Sequence, residues 1–111
     1  MEQADDRIYI RHILDAIQDI ETFVEGMDFA AFDNDLKTVM AVTKELEIIG
    51  EASKRLSEKL KDKLGFLPWK KIGGMRDFLV HDYMDIDFEV VWKATIIDIP
   101  ELKAVLEQYL Q

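Results

Sequence analysis

The stretch from residue 34 to residue 63, NDLKTVMAVTKELEIIGEASKRLSEKLKDK, decides the fold class. Leu36, Val39, Met40, Thr43, Leu46, Ile49, Ser53, Leu56 and Leu60 recur at nearly heptad spacing, which puts one apolar stripe along a helix. Asp33, Asn34 and Asp35 supply candidate N-cap oxygens ahead of it. The spacing predicts the longest helix of the chain over 34–63. Its seam carries small residues at Gly50, Ala52 and Ser53. A glycine inside a helix costs about 1 kcal/mol relative to alanine. Gly50 therefore marks either a close approach by another helix, from this chain or a second copy, or an incidental weak spot.

On the N-terminal side, Ile10, Ile13, Leu14, Ile17, Ile20 and Val24 recur mostly at spacings of three and four. This predicts a helix of roughly five to six turns. Asp5 and Asp6 suit its N-terminus and Gly26 its end. Met27 to Phe32 reads as a helical turn packed by Phe29 and Phe32. On the C-terminal side, Leu64-Gly65-Phe66-Leu67-Pro68-Trp69 breaks the pattern. Gly65 suits a left-handed position after a helix, and Pro68 the first turn of the next. Gly73-Gly74 leaves a loose turn over 68–74 and a firmer helix from about Met75. Asp85-Ile86-Asp87 caps a further helix with a stripe of Ile86, Val90, Ala94 and Ile97. Pro100 forces a kink or a fresh start, and Leu102, Val105, Leu106, Tyr109 and Leu110 line the last helix. No strand alternation of useful length and no internal repeat is present. The expected architecture is an all-α bundle of four to five helices in a single domain over 1–111.

With 111 residues, 49% hydrophobic and 33% charged, the chain can bury a core. It has no cysteine, which excludes a disulfide scaffold, a thiolate zinc site and a cysteine nucleophile. No apolar run exceeds four residues, and the first residues are acidic, so neither a membrane span nor a basic targeting peptide is expected. The expected location is cytoplasmic. The net charge of −9 is unevenly spread. Residues 54–76 hold eight basic side chains against Glu58 and Asp62, a net +6, leaving −15 elsewhere. Such a segment is either a basic stripe able to attract phosphates or a solvated helix end favoured by the dipole.

Two histidines are available. His12 has Asp15 three residues on and reads as an edge residue with a local carboxylate partner. His81 lies in Met75-Arg76-Asp77-Phe78-Leu79-Val80-His81-Asp82-Tyr83. That set matches phosphodiester chemistry. Arginine holds two phosphate oxygens in its fork and stabilises developing charge. Histidine exchanges a proton near neutral pH, and tyrosine offers a hydroxyl. The same residues also fit a surface ion pair, a helix-end histidine and a packing aromatic. On an ideal helix Arg76 and Tyr83 lie only about 20° apart, but Arg76 and His81 about 140°. The three converge only if the helix ends or bulges between them, or if a second chain completes the site. Phe78-Leu79-Val80 is too broad for one buried face and suggests burial by both the bundle and a partner. There is no phosphate-binding glycine loop, no nucleophile elbow and no zinc-binding histidine pair, and no carboxylate spacing singles out a metal site. No metal and no cofactor is expected.

Arg76-x4-His81-x-Tyr83 resembles the Arg-x(4–6)-His signature of the HEPN superfamily, and the trailing tyrosine narrows the resemblance to the HepT-like toxins. Glu47-Ile48-Ile49-Gly50-Glu51-Ala52-Ser53-Lys54-Arg55-Leu56-Ser57 looks like that group's long helix, and Pro68 to Asp77 like its approach to the motif. Phe88-Glu89-Val90-Val91-Trp92 and Leu102 fit its final helices. The resemblance implies a dimerising helical bundle with the two motifs facing each other. It implies a metal-independent endoribonuclease, the toxin of a type VII-like toxin–antitoxin system. Arg76 and His81 would be catalytic, Asp77 supporting, and Lys70 and Lys71 candidate RNA contacts. Tyr83 would be the residue adenylylated by a minimal nucleotidyltransferase antitoxin. Asp77 stands where the family often has asparagine. With Asp82, Asp85 and Asp87 it is expected to raise the His81 pKa and to weaken RNA attraction. The alternative is a non-catalytic helical subunit that docks a nucleotidyltransferase and binds a nucleotide or the partner.

Overall fold

A computed structural model describes the backbone of residues 2–82 and 85–111, and the side chains of 5–80 and 85–111. The order is α1 (Glu2–Val24), α2 (Phe29–Asp33), α3 (Leu36–Lys54), α4 (Glu58–Lys63), α5 (Trp69–Gly73), α6 (Met75–Leu79), β1 (Val80–Asp82), β2 (Asp85–Ile86), α7 (Phe88–Lys93) and α8 (Ile99–Leu110). A π-helical turn, Ala94–Asp98, joins α7 to α8 without a break. The four or five expected helices thus appear as three long rods, namely α1, α3 and the run from α7 to α8, with four short helices around them.

Single-face burial explains the long rods. Ile10, Ile13, Ile17 and Ile20 of α1 are at most 1% exposed, and Val39, Val42, Leu46 and Ile49 of α3 are fully buried. These stripes meet across the main helix–helix contact, and α8 adds Leu102 and Leu106. Phe32 of α2 enters the core, its ring 5.0 Å from that of Trp92 on α7. Gly26, at φ +77°, ends the first rod as its sequence predicted.

The expected helix over 34–63 is two helices. Asp35 caps α3 by accepting from the Thr38 N–H at 3.1 Å. Its carboxyl lies below its ordinary value because the Thr38 hydroxyl and N–H both bond it. The helix stops at Lys54, and Ser57 starts α4 by accepting from the Leu60 N–H at 3.1 Å. Leu56 and Leu60 are buried as the pattern required, but on either side of a bend. Asp6 holds that bend. Its carboxylate accepts from the Ser57 N–H and hydroxyl, both at 2.7 Å, and the residue is 3% exposed. Asp6 is therefore not a cap for its own helix; it reaches across to the start of α4.

Three further expectations are corrected. Gly65 does not take a left-handed conformation, since Gly26 is the positive-φ glycine among the described residues. Pro68 precedes α5 as its N-cap residue rather than entering the first turn, and 69–73 is helical rather than a loose turn. The indole N–H of Trp69 fixes this corner by donating to the Leu64 carbonyl at 3.0 Å. After α6 the chain forms a small antiparallel ladder, with Val80 opposite Ile86 and Asp82 opposite Asp85. Strands this short leave no alternation to read. Pro100 sits in the first turn of α8. It has no N–H for the carbonyl one turn back, and the preceding turn is widened to π geometry.

Candidate active site

Close packing at Gly50 positions the site. A Cβ there would stand 3.0 Å from the Ile72 carbonyl oxygen and 3.6 Å from that of Gly73. The approach anticipated at Gly50 is thus made by α5 of the same chain. It sets Gly73 against Ser53 and Lys54 of α3 and delivers the chain to α6. Met75 and Leu79 anchor α6 in the core, at 4% and 0% exposure. The next residue round the helix, Arg76, therefore points outward and is exposed.

Arg76 lines an open cleft of about 430 Å³. Its lining includes Tyr9 and His12 of α1, Lys44, Glu47 and Glu51 along α3, and Arg55 just past its end. Among the described residues Arg76 makes no ion pair, so its guanidinium is free to meet an anion. The helix carrying it ends at Leu79, and His81 follows on β1. The end of the helix between the two motif positions removes the ideal-helix separation of about 140°. The His81 side chain and the whole of Tyr83 lie outside the described residues, as does the expected shift of the histidine pKa. Leu79 is fully buried, while Phe78 and Val80 are half-buried by this chain alone.

The other candidates diverge. Asp77 lines a second groove of about 780 Å³ with Lys54, Lys61 and Lys70, opposed by Glu58 and Asp62. Gly73 borders both grooves, and Asp77 is not among the side chains lining the Arg76 cleft. Lys71 turns to a third surface, where its ammonium lies 4.0 Å from the Asp98 carboxylate and 5.9 Å from the Phe78 ring. Lys63 sits 5.5 Å over the Tyr109 ring. The basic segment is therefore not one stripe, because its helices turn it onto several faces. Among the described residues no group of three His, Asp or Glu side chains is placed to hold a metal ion.

Three cleft residues were not legible as site residues. The guanidinium of Arg55 lies 5.9 Å over the Tyr9 ring. His12 meets the same ring edge-on, with centroids 5.9 Å apart and planes at 87°. Among the described residues no ion pair joins His12 to Asp15, so the expected local carboxylate partner is replaced by an aromatic one. Tyr9 and His12 are neighbours three apart on α1, and the antiparallel pairing of α1 with α3 brings Arg55 to them, which no local spacing signals. Farther along the same helix pair, partial burial and then the nearby Asp19 carboxylate push the Glu45 carboxyl up to about 7.

The profile of a family described as "Ribonuclease HepT-like" matches residues 13–109. A protein of Thermococcus cleftensis named "Probable ribonuclease HepT" is 42% identical over 90% of this chain and 91% of its own. A Caldanaerobacter subterraneus subsp. tengcongensis protein, provisionally named an RNase, is 37% identical over 95% of this chain and 94% of its own. One from Methanocaldococcus jannaschii, also provisionally named an RNase, is 34% identical over all of this chain and 96% of its own. No solved structure matches. The fold is a helical bundle, as is the HEPN fold of the HepT-like family. The chain belongs to the HepT-like ribonuclease family. No described helix is long and apolar enough to cross a membrane.

Proposed function

We propose that this chain is a metal-independent endoribonuclease, the toxin of a type VII-like toxin–antitoxin pair, working as a homodimer. The observation that carries the reading is Arg76: exposed, without an ion pair among the described residues, and lining a cleft just before the chain turns into the strand bearing His81. A guanidinium so placed can take two non-bridging oxygens of a phosphodiester and hold the charge that builds on them. His81 takes the proton of the ribose 2′-hydroxyl as its oxygen attacks the adjacent phosphorus. The bond from phosphorus to the 5′ oxygen breaks, and that oxygen leaves as a hydroxyl once it gains a proton. The products are a 2′,3′-cyclic phosphate and a 5′-hydroxyl end. No redox step or bound cofactor is needed.

The family resemblance extends the proposal to control. A nucleotidyltransferase partner would join AMP to the Tyr83 phenol oxygen, with pyrophosphate leaving from ATP. The added phosphate would sit two residues from His81 and oppose an incoming RNA phosphate by like charge. Asp77 and Lys70, on the neighbouring groove, would act on the strand beyond the cut rather than on the reacting phosphate. The test is incubation of labelled RNA with the wild-type protein in EDTA, followed by end analysis. Fragments ending in a cyclic phosphate are expected. Intact RNA across several substrates, with tight binding to a nucleotidyltransferase, would replace this reading with that of a docking subunit.

A further inference from the structure

We propose that Tyr9, His12 and Arg55 form a subsite for an unpaired ribonucleotide flanking the bond cut beside Arg76, so that the cleft selects single-stranded RNA. This rests on the ribonuclease reading above and deepens it. None of the three residues belongs to the Arg76–His81 motif, yet all line the same cleft of about 430 Å³ as Arg76.

The chemistry of the wall is that of a stacking platform. Tyr9 is half-buried, so its ring is held by the fold while part of it meets solvent. Arg55 lies 5.9 Å over that ring, and the His12 ring packs against it at 87°. Both are exposed. Aromatic rings and planar guanidinium groups stack on any base, whatever its identity. Such contacts require a base that has left its helix, because bases within a duplex are already stacked on each other.

Charge points the same way. Lys44, Arg55 and Arg76 share the cleft with Glu47 and Glu51, a formal balance of only one positive charge. Two rows of duplex phosphate would meet both glutamates with too little cation to offset them. A single strand presents one phosphate per nucleotide to the arginines, and the N–H groups on its base edges can donate to the carboxylates. Glu51 also has Lys54 at 3.2 Å, outside the cleft lining, which softens its repulsion of an anion.

The test is RNA binding by fluorescence anisotropy in EDTA, using His81→Ala protein so that the strand stays intact. The probe is a fluorescein-labelled single-stranded decamer of mixed sequence, with the same decamer annealed to its complement as the duplex. Arg55→Ala is expected to weaken single-strand binding about tenfold, within the range for losing one base–side-chain stack. It should also reduce the salt slope by about 0.7. Arg55→Lys should restore the slope but not the full affinity, since it returns charge without the planar surface. His12→Ala should weaken binding a few-fold, and Lys93→Ala, on a different surface, should change nothing. The unfolding midpoint of Arg55→Ala is expected within about 2 °C of its parent. Unchanged affinity in Arg55→Ala would overturn the subsite. Equal losses for duplex and single strand would overturn the selectivity. A halved molecular mass for Arg55→Ala, with full affinity regained at protein concentrations that restore the dimer, would also overturn the subsite and make Arg55 a contact between copies. Cleavage by the otherwise wild-type protein is read separately, so failure of the ribonuclease reading is distinguishable from failure of the subsite.

Discussion

Replacing Asp6 by alanine is expected to cost about 3 kcal/mol, a large loss from a residue outside the site. Asp6 is 3% exposed and its carboxylate accepts two hydrogen bonds from Ser57, each 2.7 Å long. A bond to a charged acceptor contributes about 1.5–3 kcal/mol. Two such bonds sharing one partner fall short of additivity, which sets the estimate near the lower end of their sum. The Ser57 hydroxyl donates to Asp6 and accepts from the Leu60 N–H at 3.1 Å, so the carboxylate also orients the cap of α4. At about 4 °C per kcal/mol for a domain of this size, the melting midpoint should drop by about 12 °C. Ser57→Ala alone should cost about 2 kcal/mol, from one lost bond to Asp6 and the lost cap. Urea unfolding of both single variants and the double variant closes a thermodynamic cycle, with an expected coupling of about 1.5 kcal/mol. A loss below about 1 kcal/mol in Asp6→Ala, or strict additivity in the double variant, would refute the claim that this contact holds the bend.

Glu45 has a folded pKa of about 7 against an ordinary 4.5, so the folded state holds its proton more tightly. The stability this contributes is full below about pH 4.5 and is lost as pH rises through about 7. Discounted for solvent screening, the deficit at pH 8 is about 1 kcal/mol. Glu45→Gln should therefore melt about 4 °C above wild type at pH 8 and level with it at pH 4.5, and a pH-independent difference would contradict the shift. Gly50→Ala should destabilise by about 1 kcal/mol net, because overpacking against the Ile72 carbonyl exceeds the gain in helix propensity. A stabilised variant in urea unfolding would show that α5 yields freely. Trp69→Phe removes the 3.0 Å bond to Leu64 and should cost about 1 kcal/mol, read as a midpoint about 4 °C lower. No change in the melt would mean that the indole N–H does not hold that corner.

The long rods were legible because their burial is one-sided. Ile10, Ile13, Ile17 and Ile20 repeat at helical spacing and all face the core. The bend at Ser57 was hidden for the same reason, since Leu56 and Leu60 continue the stripe whether or not the helix does. What breaks it is a contact with Asp6, 51 residues away, and periodicity carries no such information. Gly50 was readable as a close approach but not as an approach by α5, because a glycine states how much room is needed and not who fills it. At the site, Arg76 could be singled out from its own segment. Tyr9, His12 and Arg55 could not, because Arg55 meets Arg76 only through the packing of α3 with α5 and α6, and Tyr9 and His12 only through the further pairing of α1 with α3. The separation of Lys70 from Lys71 follows from adjacent positions on one short helix, about 100° apart. A count of basic residues cannot register that.

The central claim is that the Arg76 cleft and His81 together cut RNA, and a single comparison tests it. Cleavage of one labelled RNA in EDTA is measured for wild type, Arg76→Ala and His81→Ala at equal concentration, with each melting curve recorded. Arg76 is exposed and makes no ion pair among the described residues, so Arg76→Ala should melt within about 2 °C of wild type. It should nevertheless lose at least about 100-fold in cleavage rate, the scale for removing a stabiliser of transition-state charge. His81→Ala should lose about 100-fold or more with its proton-transfer group. Equal cleavage by all three folded proteins would contradict the claim and place the nuclease activity elsewhere.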